Sequence, residues 1–313
     1  MKIIYCDHSA TTKVKKEVLN EMIPYYMYQY GNASSLYSVG RDAKYAITQA
    51  RTRVARAINA SAQEIYFTSC GSESDNLALK GVCHANKQNG KHIITSKIEH
   101  PAILQTCLAL EKEGFEVIYL DVDKNGFVDM NQLTNAIRED TILVSIMTAN
   151  NEIGTIEDIK TIGSICKNNN VTFHTDSVQA IGNVKIDVQE MNIDMLSMSA
   201  HKFYGPKGVG ALYVREGIEF DRIQDGGHQE RDKRSGTENV AGIAGLGKAI
   251  ELASNNFDDY TKKLTTIRDY FIDRAIKEFG KENVRINGDL NKRLPGHVSI
   301  SFRGKDSNLI LLE

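Results

Sequence analysis

Between residues 64 and 214, short apolar segments recur between stretches of helical periodicity, and this alternation constrains the fold more than any other feature of the chain. Residues 64–68 (EIYFT), 92–96 (HIITS), 115–120 (FEVIYL), 141–147 (TILVSIM), 171–174 (VTFH), 195–199 (MLSMS) and 210–214 (GALYV) read as strands. Helical patterns fill 75–85, a stretch from Pro101, 130–138 and 156–167. Further helices are expected at 13–29, 40–59, 243–255 and 260–279, and a last strand at 297–302. In the second of these helices Ala43, Ile47, Ala50, Val54 and Ile58 share one face. The 141–147 run is apolar throughout, as a strand covered on both faces requires. Strands alternating with helices predict an α/β fold, a mostly parallel sheet with helices on both sides.

Composition narrows the function. The chain has 313 residues, a net charge of −2 and 41% hydrophobic residues. At ~150 residues per domain, that length suggests two domains. With no basic excess to neutralise phosphates, bulk-charge binding to nucleic acid is excluded. No apolar run approaches the ~20 residues that span a bilayer, and the opening MKIIYCDHSATT is too short in its apolar part for a signal peptide. A cytoplasmic protein with no membrane association is expected. Cys6, Cys70, Cys83, Cys107 and Cys166 form no C-x-x-C pair, so they read as reduced thiols rather than a zinc or redox motif.

In sheets of this kind ligands bind beyond the carboxyl ends of the strands, and residues with chemical potential gather there. Lys202, after the strand at 195–199, is a candidate Schiff-base amine, with Lys207 as its rival and a solvated surface lysine as the alternative. Asp176 ends an apolar strand. It could offset the charge of a protonated pyridine nitrogen, as acids in pyridoxal phosphate enzymes do, or cap a helix. Gly71 and Ser72, between strand and helix, could form an anion site or part of a capping box. His100 could stack on a ring and move protons, or be structural. Together these residues make up the parts of a pyridoxal phosphate site.

Seven motifs in order carry a stronger signal. They are Tyr5-Cys-Asp-His-Ser-Ala-Thr-Thr12, Phe67-Thr-Ser-Cys-Gly-Ser-Glu-Ser-Asp-Asn76, Glu99-His-Pro101, Asn150-Asn-Glu-Ile-Gly154, His174-Thr-Asp-Ser-Val-Gln179, Ser199-Ala-His-Lys202 and Arg234-Ser-Gly-Thr-Glu-Asn239. With them the chain resembles, over essentially its whole length, the group I cysteine desulfurases of the NifS/IscS type in the class V aminotransferase superfamily. The resemblance implies the fold type I architecture of pyridoxal phosphate-dependent transferases: a large domain over 13–253, and a smaller α/β domain from 1–12 and 254–313. It implies a homodimer that takes sulfur from L-cysteine, leaving L-alanine and an enzyme persulfide. That sulfur would go to an iron–sulfur scaffold protein or to tRNA thiolation. Lys202 would hold the cofactor covalently, Asp176 would pair with its ring nitrogen, and His100 would stack on the ring and transfer protons. Asn151 and Gln179 would contact the substrate end and the phenolic oxygen. Gly71, Ser72, Ser199 and His201 would hold the phosphate, and Thr237 would reach the phosphate of the partner subunit.

Three departures from the family pattern stand out. Cys70-Gly71-Ser72 replaces the usual Gly-Ala-Thr, with the hydroxyl kept, and Ala33 replaces a proline. The sequence also ends before the family's sulfur-accepting cysteine loop and its carboxylate-binding arginine. A truncated chain, inactive or impaired by itself, is therefore expected. Two other readings stay open: an inactive cofactor-binding scaffold homologue, and a selenocysteine lyase or other class V transferase.

Overall fold

The computed structural model describes residues 4–306 and residue 310. Its sheet contains β1 (Ile65–Thr68), β2 (His92–Ser96), β3 (Glu116–Leu120), β4 (Thr141–Ser145), β5 (Thr172–Asp176), β6 (Met195–Ser199) and β7 (Gly210–Val214), in the order β1-β7-β6-β5-β4-β2-β3. The pairs β2–β3, β2–β4, β4–β5 and β5–β6 are parallel, and β7 runs antiparallel to both β1 and β6. The reversal of β7 follows from its connection. Residues 200–209 hold only a 3-10 turn, Ala200–Lys202, and no crossover helix to carry the chain back for a parallel return.

The helices are α1 (Lys16–Met27), α2 (Ser38–Ala57), α3 (Gly71–Asn86), α4 (Pro101–Lys112), α5 (Met130–Ala136), α6 (Ile159–Asn168), α7 (Val240–Asn255) and α8 (Phe257–Phe279). Successive strand residues point to opposite faces. Ile94, Val144, Leu196 and Ala211 pack with Val54 of α2, Ile162 of α6 and Leu246 of α7. Their neighbours Ile93, Leu143, Met195 and Leu212 pack with Leu77 of α3 and Ile103 and Leu110 of α4. With both faces covered, each such side chain contributes about 1.5–3 kcal/mol by burial. This double coverage is the reason the strands read as continuous apolar runs.

Expected helix ends move by a few residues. The helix expected from 75 starts at Gly71, because the Cys70 carbonyl already accepts from Ser74 N–H. The helix expected to reach 138 stops at Ala136, because Ile137 is extended and Arg138 N–H donates to the Thr141 hydroxyl instead. A strand not anticipated, β8 (Val284–Ile286), pairs antiparallel with β9 (Ile300–Phe302) in a separate small sheet. At three residues it is too short for its periodicity to show. This small sheet packs on α8 through Phe279 and Phe302, whose rings lie 5.2 Å apart. The segment between its strands joins the main body where Leu294 N–H donates to Gly154 and Ile156 N–H donates to Lys292.

Helix α7 rests on α1 and α2 through small residues. A Cβ added at Gly247 would lie 2.6 Å from Ala50 Cα and 2.7 Å from its Cβ, with Ala50 fully buried. In an open helix, Gly→Ala gains about 1 kcal/mol of propensity. Here the overpacking cost of about 1–3 kcal/mol outweighs that gain. Gly247→Ala is therefore expected to lower stability in urea denaturation; a variant as stable as the parent or more so would show that α2 and α7 separate freely.

Candidate active site

A cavity of about 510 Å³ opens where the carboxyl ends of β4, β5 and β6 meet the N-terminus of α3, a volume typical of small-molecule sites. Gly71, Ser72, His100, Asn151, Asp176, Gln179, Ser199, His201 and Lys202 all line it. Thr237 does not: it lines a different cavity with Ser69, Gly208 and Arg234.

Lys202 closes the 3-10 turn after β6. Its Nζ donates to the backbone carbonyls of Ser9 and Ala10, the latter at 3.0 Å. Burial draws the amine below the ordinary lysine range, against the pull of Asp176 and Asp7. Lys207, its rival in the sequence, is exposed. Asp176 is the last residue of β5 and is buried. It caps no helix. Its Oδ1 accepts from Val178 N–H at 2.9 Å in a turn. Burial raises its carboxyl, while the charges of His100 and Lys202 lower it.

The first turn of α3 presents backbone N–H groups that have no partners within the helix. Its N-cap, Cys70, makes no side-chain cap bond. The expected capping box at Ser72 is not formed. Instead Glu73 accepts from Ser69 N–H at 2.7 Å and is held by Arg234 at 2.7 Å. Ser72 is thereby left exposed at the cavity. A Cβ at Gly71 would lie 2.7 Å from Val178 Cγ2, so α3 approaches the β5 turn closely here. The result is an anion cradle of the kind helix N-termini provide.

His100 serves two purposes. Its Nδ1 accepts from Ala102 N–H at 3.1 Å, capping α4, which leaves Nε2 as its other ring nitrogen at the cavity it lines. His201 Nδ1 lies 3.1 Å from the Thr11 hydroxyl, and burial and the neighbouring Lys202 and Lys207 hold it neutral, down to about 4. Gln179 Nε2 donates to the Ser9 carbonyl at 3.0 Å.

Glu152, which follows the fourth strand, also lines the cavity, as do Asp7, Ser9, Ala10, Asp75, Met147, Ala149 and Val178, which strand-end reasoning did not single out. Residues 7–10 follow no strand, so they come to the site only through tertiary contacts such as Thr12 N–H to the His201 carbonyl at 2.9 Å. Asp75 lies within α3, where an acidic residue reads as an ordinary helix position.

This arrangement fits the expected cofactor. A partly desolvated amine and a buried carboxylate share one cavity with an anion cradle, matching a carbonyl, a pyridinium and a phosphate. Asp75 Oδ1 adds a buried oxygen with no hydrogen-bond partner among the described residues.

Glu99 lies beneath the site and is buried. One oxygen accepts from the Ser96 hydroxyl at 2.7 Å and Met147 N–H at 3.0 Å, and the other has no partner among the described residues. Burial raises it from 4.5 to about 8, reinforced by the charges of Asp176 and Glu157. A carboxyl raised on folding leaves stability intact below the unfolded value and erodes it as pH climbs through the folded one. The window therefore runs from 4.5 to about 8. Glu99→Gln is expected to flatten the loss of stability measured by urea midpoints between pH of about 5 and about 9. An unchanged slope would show that Glu99 ionises freely.

Residues 4–312 match the family model described as aminotransferase class-V. A cysteine desulfurase IscS from Clostridium botulinum is 56% identical over all of this chain and 79% of its own length. A solved NifS-like protein superposes with a TM-score of 0.95 at 39% identity, covering 99% of this chain and 84% of that one. A structure described as SspA in complex with cysteine gives a TM-score of 0.87 at 36% identity, over 99% of this chain and 86% of the other. A lysine amine, a buried carboxylate and a helix N-terminus set around one cavity are what this family's cofactor chemistry asks for, and the chain belongs to the class V aminotransferase family, among its pyridoxal phosphate-dependent cysteine desulfurases of the IscS/NifS type.

Proposed function

We propose that this chain supplies the cofactor and cysteine site of a homodimeric enzyme that moves sulfur from L-cysteine to a thiol, leaving L-alanine. In balance, a thiol and cysteine give a persulfide and alanine: the Cβ–S bond breaks, an S–S bond forms, and Cβ gains a proton to become a methyl group. The observation that carries this reading is the convergence of Lys202, Asp176 and the α3 N-terminus on one cavity. Pyridoxal 5′-phosphate, when bound, supplies an aldehyde for amines and an electron sink for the reacting carbon.

The side chains have separate tasks in this reading. Gly71, Ser72, Ser199 and His201 hold the phosphate, with His201 neutral and so able to accept as well as donate. Asp176 holds its negative charge at the ring nitrogen, buried where that charge is little screened. Lys202, its amine drawn toward the neutral form, takes and returns a proton at Nζ. His100 moves protons through Nε2 while its other nitrogen is fixed by Ala102 N–H. Asn151 and Gln179 orient the substrate end. L-Cysteine is the substrate, in keeping with the cysteine named in the structure of the SspA relative.

Cys83, Cys107 and Cys166 are buried, with their thiols raised by desolvation, the last two to about 12. Cys70 sits at the fixed N-cap of α3. None of these four is assigned as the sulfur acceptor. An iron–sulfur scaffold or a tRNA-thiolation protein in the cytoplasm is the proposed recipient of the sulfur.

Two features support the dimer. Thr237 lies outside its own subunit's cavity, as a residue serving the partner's phosphate would. On α1, on α2 and between them, Tyr26, Tyr28, Tyr30, Leu36, Tyr37 and Tyr45 are exposed, Leu36 by 92%. Exposed aromatic and apolar side chains concentrated in one stretch of chain suit a protein contact.

The test is the visible spectrum of the purified chain with cofactor, followed by borohydride reduction and peptide mapping. A yellow band that shifts when L-cysteine is added, with the reduced label on Lys202, is the expected result. A colourless protein, or a label on Lys207, would refute the assignment.

A further inference from the structure

None of the tasks above uses Asp75. It is 1% exposed, yet it lines the cavity. Its Oδ1 has no hydrogen-bond partner among the described residues, although an orphaned buried oxygen costs about 1–3 kcal/mol. Its surroundings decide whether it carries a charge.

Behind Asp75 runs a chain of hydrogen bonds through the sheet. Ser145 Oγ lies 2.9 Å from His174 Nδ1, and His174 Nε2 lies 2.9 Å from Ser197 Oγ. His174 Nε2 also lies 3.8 Å from Asp75 Oδ1, so that oxygen faces the sheet. Burial lowers His174 to about 3, so the ring is neutral and carries one N–H. The His174 ring and the two serine hydroxyls satisfy one another within the sheet, and Asp75 takes part in neither of these bonds.

On the other side, ligating atoms of Asp75, His100 and Asp176 all lie within 4.8 Å of one another. Two desolvated carboxyls that close do not both ionise readily. The groups around them decide which stays neutral. Asp176 is faced by His100 from the α4 N-terminus and by Lys202 from the turn after β6. Asp75 also has His100 within 4.8 Å, but it is faced besides by Asp176, Glu99 and Cys70, all of which oppose its charge, and by the neutral His174 at 3.8 Å from Oδ1. Its carboxyl accordingly stands well above the usual range.

We propose that Asp75 is a positioning residue for the cofactor: a neutral carboxylic acid whose O–H is offered to the Asp176 carboxylate, fixing its orientation toward the ring nitrogen and holding the pair at a single negative charge. This rests on the reading of Asp176 as the partner of that nitrogen. The consequence is a division of labour between adjacent carboxyls, one charged and one donating, set by what each faces.

The test compares Asp75→Asn, which keeps shape and a donor but cannot ionise, with Asp75→Leu, which keeps bulk and removes the donor. The readouts are the affinity of the cofactor-free chain for pyridoxal 5′-phosphate and the position of the bound visible band. Asp75→Asn is expected to bind within about threefold of the parent with the same band, and Asp75→Leu to bind about tenfold more weakly with a displaced band. If the Asn variant is as damaged as the Leu variant, Asp75 acts as an anion and the proposal fails. If the Leu variant matches the parent, Asp75 only fills space and the proposal also fails. Asp176→Asn separates the two readings: if it leaves affinity and band unchanged, the assignment of Asp176 is what fails. Should the Leu variant not fold by circular dichroism, the Asn variant decides alone: retained affinity and band uphold the proposal, and their loss overturns it.

Discussion

Covering both faces of a seven-stranded sheet forces the rest of this structure. Apolar residues fill the strand middles on both sides, and polar groups are left to the carboxyl ends. On the α3 face the change is visible strand by strand. Leu143 gives way to Ser145 in β4, and Met195 to Ser197 and Ser199 in β6. In β5, His174 is followed on the same face by Asp176. A buried polar layer of this kind persists only where its members satisfy one another, and Ser145, His174 and Ser197 do so. The layer ends at a cavity, where Asp75 and Glu99 each keep one oxygen without a partner among the described residues.

The electrostatics of the site follow from the same burial. Desolvation pushes Lys202 and Asp176 toward their neutral forms, and each resists that push through the other's charge. An amine and a carboxylate held in this balance are ready to engage a carbonyl and a pyridinium, and neither is buried in an ion pair that a ligand would have to break. The N-terminal segment adds the roof. Ser9 and Ala10 take the hydrogen bonds of Lys202, and Ser9 also takes that of Gln179. Two site residues therefore depend on a segment far away in the chain.

Much of the architecture was legible in the sequence. The seven strands of the large sheet lie within a few residues of where periodicity puts them, because a strand covered on both faces must be apolar on both, and the helices beside it are not. Strand ends led to Lys202, His201, Asp176, Asn151, His100 and the Gly71–Ser72 turn, and the ordered motifs added Gln179 and Ser199. These all line one cavity. Helix starts were less legible. Local signals favoured capping by Ser72, whereas Glu73 bonds Ser69 N–H and meets Arg234, a partner far along the chain.

The sequence by itself determined the class of fold, the family and about half of the cavity's lining, because these are written in periodicity, in strand ends and in ordered motifs. The tertiary structure alone decided which groups share their environment. It brought residues 7–10 over Lys202, set Thr237 apart from the cavity that Lys202 lines, and turned Asp75 from a helix residue into the neighbour of Asp176. The physical reason is that charge, desolvation and hydrogen bonding depend on distances through space. A helical position in the sequence gives no sign that another buried carboxyl stands within 4.8 Å of it.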